Sequence, residues 1–293
     1  MNLRTKGSDR ILITEVALVM MVIGVWSFHV AGTVALFPYL ALCLAILLLA
    51  QVETMRRNDR AISRLKAEAV NDMRQVESLI YLVSILRPEI PLPETRDGAA
   101  SPDLLRKTLE LLAARRPSLV VEAGSGVSTL VIGYYLKRLG TGKLISLEHN
   151  PDYATTVRGW IDLHSLGHVA EVVDAPLTTL ALGDERFLWY DIGRVHFGGK
   201  IDLVFVDGPP GGTQPLARYP ALPVLLPHLS SDALILLDDG NRIDEERIAQ
   251  RWTAEFPTFS SEFLCLEKGA FLFRCSSENR SENLHRTSEL VVR

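Results

Sequence analysis

The chain is poor in cysteine. It has three, Cys43, Cys265 and Cys275, with no C-x-x-C and no His/Cys cluster at zinc spacing. Neither a disulfide framework nor a structural zinc is predicted. Positive charge is also short: the formal net charge is −4, and the basic residues of the first 60 positions leave the remainder more acidic still. That argues against a nucleic-acid partner, which would need a basic footprint. No Gly-x-Ser-x-Gly elbow, P-loop or His-Glu-x-x-His pattern occurs. The hydrolase, nucleotide-triphosphatase and zinc-protease readings therefore fall away. No internal repeat is visible, which removes a solenoid.

Apolar sequence, by contrast, is abundant at one end. The composition is 47% apolar and 23% charged, with a mean hydropathy of +0.16. The excess lies between Ile11 and Val52, where only Glu15 carries a formal charge. As one helix rising about 1.5 Å per residue, that stretch is roughly twice as long as a hydrocarbon core is thick. Two spans are therefore expected, 11–28 and 34–51, turning near Gly32 and together forming a membrane anchor over 1–52. Arg4, Lys6 and Arg10 precede the first span, and Arg56, Arg57, Arg60, Arg64 and Lys66 follow the second. The positive-inside rule then predicts a two-span protein of a bacterial inner membrane, with its catalytic domain on the cytoplasmic side. A cleaved signal peptide is the rival reading, but its apolar core would run only ~7–15 residues.

From Glu53 to Leu86 the chain is charged and free of Gly and Pro, with Ile62, Leu65, Ala69, Met73, Val76, Ile80 and Val83 at spacings of three and four. That is an apolar stripe on one helix face. It suits a homodimer through a coiled coil over 53–86, and equally packing on the globular domain or lying along a membrane. Pro88, Pro91 and Pro93 end the helix, 94–100 reads as a linker, and 276–293 reads as a disordered tail.

Between 101 and 275 the period switches repeatedly. Strands are expected at 118–123, 143–148, 169–174, 201–207 and 233–238, with helices at 103–115, 128–139, 153–165 and 243–256. A hairpin at 263–267 and 270–274 closes the chain. Alternating strands and helices imply an α/β domain whose parallel sheet is covered on both faces. Ligands of such sheets bind beyond the carboxyl ends of the strands. Those ends carry Glu122, Glu148 with His149, Asp174 with Ala175, Asp207, and Asp238 with Asp239. Five successive strands end in an acid.

The first of these ends runs Glu122-Ala-Gly124-Ser125-Gly126-Val-Ser128-Thr. Glycines there permit positive φ and close backbone approach to a ligand, and the helix N-terminus that follows favours an anionic group. Thr129 stands where a dinucleotide fingerprint would place its third glycine. Glu148, 22 positions after Gly126, lies at the distance where an acid takes a ribose diol. Asp174 suits an adenine amino group or a loop cap. Together these favour an adenosine ligand with an adjacent positive centre.

At this point the chain resembles the class I S-adenosylmethionine-dependent methyltransferases over about 92–275. It looks closest to a bacterial group with Glu-x-Gly-Ser-Gly-x-Ser-Thr (122–129), Ser-Leu-Glu-His (146–149), Val-Asp-Gly-Pro-Pro-Gly (206–211), Arg-Tyr-Pro-Ala-Leu-Pro (218–223) and Leu-Asp-Asp-x-x-Arg (237–242). The resemblance implies a Rossmann-like sheet of seven strands, mostly parallel, with a C-terminal antiparallel hairpin. It places Glu122, Gly124, Ser125, Gly126 and Ser128 at the methionine end, and Glu148 and His149 at the ribose. Asp174 and Ala175 would flank adenine, with Asp207 beside the reacting end.

Asp207, Asp238 and Asp239 are the expected catalytic residues. They resemble the acidic set of catechol-type, metal-dependent O-methyltransferases, with Asp-Asp where that group has Asp-Asn. Three carboxylates plus waters would suit Mg²⁺ or another hard divalent ion. The alternative has Asp207 orienting the methionine end or a base while Asp239 pairs with Arg242 or Arg218. Trp189, Tyr190, Arg218 and Tyr219 are candidates for the acceptor pocket or for packing. The expected reaction is O-methylation of a small or lipid- or glycan-linked acceptor. Two alternatives stand beside it: a nucleotide-cofactor oxidoreductase, and a non-catalytic membrane-attached interaction module.

Overall fold

The computed structural model describes residues 32–275, preceded by 15, 18–26 and 28–30. The tail read as disordered, 276–293, lies outside the described residues. The chain divides into two units, Met1–Val70 and Asn71–Arg293.

The first long element is a single helix, α1 (Thr33–Leu86). Nothing in the sequence stops it where the apolar run ends. Across that point Thr54 Oγ1 donates to Ala50 O at 2.8 Å and Arg57 pairs with Glu53 at 3.1 Å, both ordinary contacts within a helix. The expected two-span anchor is corrected here. Among the described residues only the stretch Phe37–Leu86 is long and apolar enough to cross a membrane, by length and composition alone. The other expected span is represented by the shorter helix Leu18–Val30, and Arg4, Lys6 and Arg10 lie outside the described residues. A break does fall at Gly32, whose φ is +64°. An orientation argued from basic residues flanking a pair of spans has no premise without the pair, so the two-span inner-membrane placement with a cytoplasmic domain does not hold. Along α1, Ile62, Leu65, Met73, Val76, Ile80 and Val83 are solvent-exposed, whereas Leu82 and Leu86 are buried.

The second unit is a sheet with helices on both faces. Its elements are α2 (Pro102–Arg115), β1 (Leu119–Ala123), α3 (Val127–Leu139), β2 (Lys143–Glu148), α4 (Pro151–Leu163), β3 (Ala170–Asp174), β4 (Leu177–Leu182), β5 (Glu185–Tyr190), β6 (Ile201–Val206), α5 (Ala221–Leu225), β7 (Leu229–Asp238), α6 (Ile243–Glu255), β8 (Phe259–Leu264) and β9 (Ala270–Cys275). The seven-stranded order is β3-β2-β1-β6-β7-β9-β8. Neighbours from β3 to β7 pair in parallel, while β9 is antiparallel to both β7 and β8. The central strand β1 is buried along its whole length, so apart from Glu122 its sequence is apolar rather than alternating. Alternate residues of one strand point to opposite faces. Val120, Leu203, Phe205 and Leu234 join one core with α2, α3 and α4. Val121, Val204, Val206 and Ile235 join the other with α5, α6 and β5.

Two elements differ from expectation. The closing hairpin begins at Phe259, because Leu264 pairs with Ala270 and leaves residues 265–269 as a loop. Lys268 and Gly269 carbonyls accept from Asn241 N and Gly240 N at 2.9 Å each, so that loop serves the exit of β7 instead of making a tight turn. The crossover before β6 also contains a separate two-stranded sheet, β4–β5, in which Leu182 pairs with Glu185 across Gly183-Asp184. A two-residue loop opening on glycine between β-prone runs is a hairpin signal legible in the sequence.

Candidate active site

The carboxyl ends of β1, β2, β6 and β7 meet at one sheet edge. Gly124 leaves β1 with φ +103°, and a Cβ there would stand 3.5 Å from the Asp207 and Gly208 backbone. Asp207 N donates to Ala123 O at 3.0 Å, tying the β1 and β6 exits together. A Cβ on Gly208 would lie 2.2 Å from the Tyr190 hydroxyl and 3.2 Å from Gly124 Cα. Glycine is required at Gly208 because the β1 exit and a phenol converge on it.

Glu122 points inward. It is fully buried, and its carboxylate accepts hydrogen bonds from Ser128 Oγ, Thr129 Oγ1 at 2.6 Å and Ser146 Oγ at 2.5 Å. Thr129 Oγ1 in turn accepts from Gly126 N at 3.0 Å, which satisfies an otherwise unpaired N–H at the start of α3. Burial raises the Glu122 carboxyl to about 7, against the pull of its three hydroxyl donors and with a push from Asp207. The glycine-rich turn therefore rests on a carboxyl group that is partly neutral at pH 7.

Glu148 faces the turn itself. Its Oε2 accepts from Ser125 Oγ at 2.8 Å and its Oε1 from Asn150 N at 2.9 Å. His149 Nδ1 lies 3.1 Å from the same Oε1 but makes no hydrogen bond, and its ring meets Tyr190 edge-on at 6.1 Å. Asn150 caps α4 through Asp152 N and Tyr153 N. That cap brings the Tyr153 hydroxyl to within 3.3 Å of a Cβ built on Gly126. Sequence reasoning missed Tyr153, although its place in the first turn after a strand-end acid could have marked it.

Asp174 stands apart. It is exposed and bonded to Arg158 Nη2 at 2.7 Å, while Ala175 is buried with its N–H on Glu148 O at 2.7 Å. Of the candidate pocket residues, Trp189, Tyr190 and Tyr219 are buried in the core. The Tyr190 hydroxyl also stands beside Gly208.

Asp207, Asp238 and Asp239 do come together, with one oxygen from each within 4.8 Å of the others. Their environments differ. Asp238 is buried; its Oδ1 accepts from Asp239 N at 2.6 Å and its Oδ2 has no partner. Burial, then the charges of Asp207 and Asp239, hold it well above the usual carboxylate range. Asp239, at φ +61°, pairs with both Arg218 at 2.8 Å and Arg242 at 2.9 Å. Asp207 is raised by burial, against the pull of Arg218, and with its side chain 22% exposed it is the most accessible of the three.

A separate groove of about 800 Å³ lies between α6 and the β8–β9 hairpin, lined by Ala249, Thr253, Ser261, Phe263 and Phe271 among others. It contains none of the expected site residues.

This sheet order, with its reversed β9 and a glycine turn beside strand-end acids, defines the class I methyltransferase fold. Residues 121–240 match a family model described as a methyltransferase domain. No curated protein matches the chain. Among solved structures, the chain is similar to an SAH-bound methyltransferase of Podospora anserina, with 16% identity and a TM-score of 0.51, covering 72% of this chain and 95% of that one. It is also similar to an O-methyltransferase of Bacillus cereus in complex with SAH, with 16% identity and a TM-score of 0.50, covering 71% and 97%. At that identity these are likenesses of fold. Residues 121–240 thus match a methyltransferase domain, and the chain shares the fold of these solved structures.

Proposed function

We propose that the chain transfers the methyl group of S-adenosylmethionine to an oxygen of a small acceptor. The observation that carries this reading is Glu148, held 2.8 Å from Ser125 on the glycine-rich turn, where a carboxylate can take a ribose diol. The positive φ of Gly124 and the packed Gly208 leave backbone, not side chain, facing the ligand. His149 and Asp174–Ala175 would border the nucleoside, Asp174 by releasing Arg158. S-adenosylmethionine supplies a methyl group activated on a sulfonium; the acceptor oxygen attacks it in line, the carbon–sulfur bond breaks, and S-adenosylhomocysteine is released. Alignment contributes much of such a rate. Asp207 would take the acceptor's proton, as its raised pKa and access suit a general base. Asp238 and Asp239 act behind it, through the hydrogen bond between them and the arginines.

A divalent ion does not suit this acid set, because Arg218 already pairs with Asp207 Oδ1 and both Arg218 and Arg242 with Asp239 Oδ2. The lipid- or glycan-linked acceptor rested on the two-span anchor and goes with it. A homodimer through residues 53–86 remains a proposal, supported by the exposure of Ile62, Leu65, Met73, Val76, Ile80 and Val83.

Titration calorimetry of the full chain with S-adenosylhomocysteine and with NAD tests the reading. Binding of the first, weakened about tenfold or more by Glu148→Ala (a loss of ~1.4 kcal/mol or greater), is expected. NAD binding alone, or no nucleotide binding, would refute it.

A further inference from the structure

Three carboxylates converging from two strand ends would ordinarily repel one another or collect a hard cation. Here the cationic centre comes from the chain. Arg218 Nη2 lies 3.1 Å from Asp207 Oδ1, 3.2 Å from Asp207 O and 2.8 Å from Asp239 Oδ2. One nitrogen thus has three oxygens around it, two of them from the cluster. Nη1 reaches Asp238 O at 3.1 Å and Glu245 Oε1 at 3.7 Å, so a single guanidinium spans the exits of β6 and β7 and the start of α6. Its Nε is buried and bonded to nothing, so the terminal nitrogens alone anchor the group.

The backbone that delivers Arg218 is restrained on both sides. Leu216 N donates to Asp244 Oδ2 at 3.2 Å, and Trp252 Nε1 donates to Tyr219 O at 2.9 Å. The Tyr219 hydroxyl donates to Glu255, and its ring lies under Arg251 at 3.8 Å. The Arg218 side chain is itself 3% exposed. A planar fork held at both ends gives fixed directions that a hydrated ion would not.

We propose that Arg218 is a built-in cation and positioning residue. Its guanidinium fills the place between Asp207 and Asp239 that a divalent ion would take, making the acid cluster independent of metal while aiming Asp207 at the acceptor. The role assigned to Asp207 rests on the methyl-transfer reading; the occupancy of the cluster does not.

The test uses the full chain and Mn²⁺ alone as the probe, followed by electron paramagnetic resonance of the free ion. Wild type is expected to show no saturable binding, and Arg218→Met to gain a site at least about tenfold tighter that Asp207→Asn then abolishes. A structural ion pair would produce no such gain. Arg218→Gln, which keeps hydrogen-bonding groups, is carried in parallel should the methionine variant fail to fold by circular dichroism. Saturable Mn²⁺ binding by wild type that is lost in Asp207→Asn overturns the proposal. So does a folded Arg218 variant with no gain. Binding of S-adenosylhomocysteine, measured on the same preparations, is the separate readout. Its absence would sink the methyl-transfer reading and leave the occupancy result standing.

Discussion

Glu122→Gln perturbs the keystone of the glycine-rich turn with almost no change of shape. In the folded protein the carboxyl titrates at about 7, against an ordinary value of 4.5. A raised folded pKa means that the stabilisation is complete below about 4.5 and is lost as pH rises toward 7, after which it is gone. A difference of about 2.5 units at ~1.36 kcal/mol each gives a fall of about 3 kcal/mol across that window. Glutamine cannot ionise, so the variant lacks this fall. Its amide must face at least one of the hydroxyls of Ser128, Thr129 and Ser146 that now donate to oxygen, which costs about 1 kcal/mol. The variant should therefore be about as stable as wild type at pH 5, where the ~1 kcal/mol amide cost nearly cancels the fall already begun, and more stable by roughly 2 kcal/mol at pH 8. Urea unfolding followed by circular dichroism at pH 5, 6, 7 and 8 measures this, because other titrating groups cancel between the two proteins. Parallel stability curves would refute the reasoning, since Glu122 would then be ionised, or equally solvated, in both states.

Other substitutions probe the remaining geometry. Gly208→Ala forces a Cβ to within 2.2 Å of the Tyr190 hydroxyl; it should lower S-adenosylhomocysteine affinity in calorimetry, with partial recovery in the double variant with Tyr190→Phe. No recovery would mean that the obstruction is Gly124 Cα instead. Gly240→Ala meets the Ala270 backbone at 2.8–3.1 Å, and urea titration should show a loss of about 1–3 kcal/mol from overpacking. Asp174→Ala removes an exposed ion pair with Arg158, so stability should change by less than about 1 kcal/mol. Nucleotide affinity should nevertheless drop severalfold in calorimetry if this residue takes the adenine amino group. Chemical crosslinking of wild type against Leu65→Glu/Ile80→Glu should show whether the exposed stripe of α1 pairs two copies; equal yields would rule that out.

Much of the domain was legible because parallel strands buried on both faces leave continuous apolar runs between amphipathic helices. Leu119–Ala123, Lys143–Glu148 and Ile201–Val206 are largely apolar strands of this kind, and the acids at or next to their carboxyl ends mark one sheet edge. The β4–β5 pair was signalled by Gly183-Asp184 yet escaped notice, since β4 is largely exposed and makes no apolar run. The end of the apolar segment near Gln51 gave no helix boundary: hydropathy changes there, but no cap, glycine or proline interrupts the hydrogen-bond ladder before Leu86.

Residue type and period alone determined that carboxylates would gather at the strand ends around a glycine turn. Which way each one faces was decided by neighbours distant in the chain. Glu122 sits opposite Ser146 in the parallel register and turns into three hydroxyls, whereas Glu148, also buried, turns to Ser125 on the glycine-rich turn. Asp239 meets both arginines because the segment carrying Arg218 folds back over the β6 and β7 exits. A side chain's partner depends on register and on the crossing of separate elements, and one-dimensional spacing does not encode those distances.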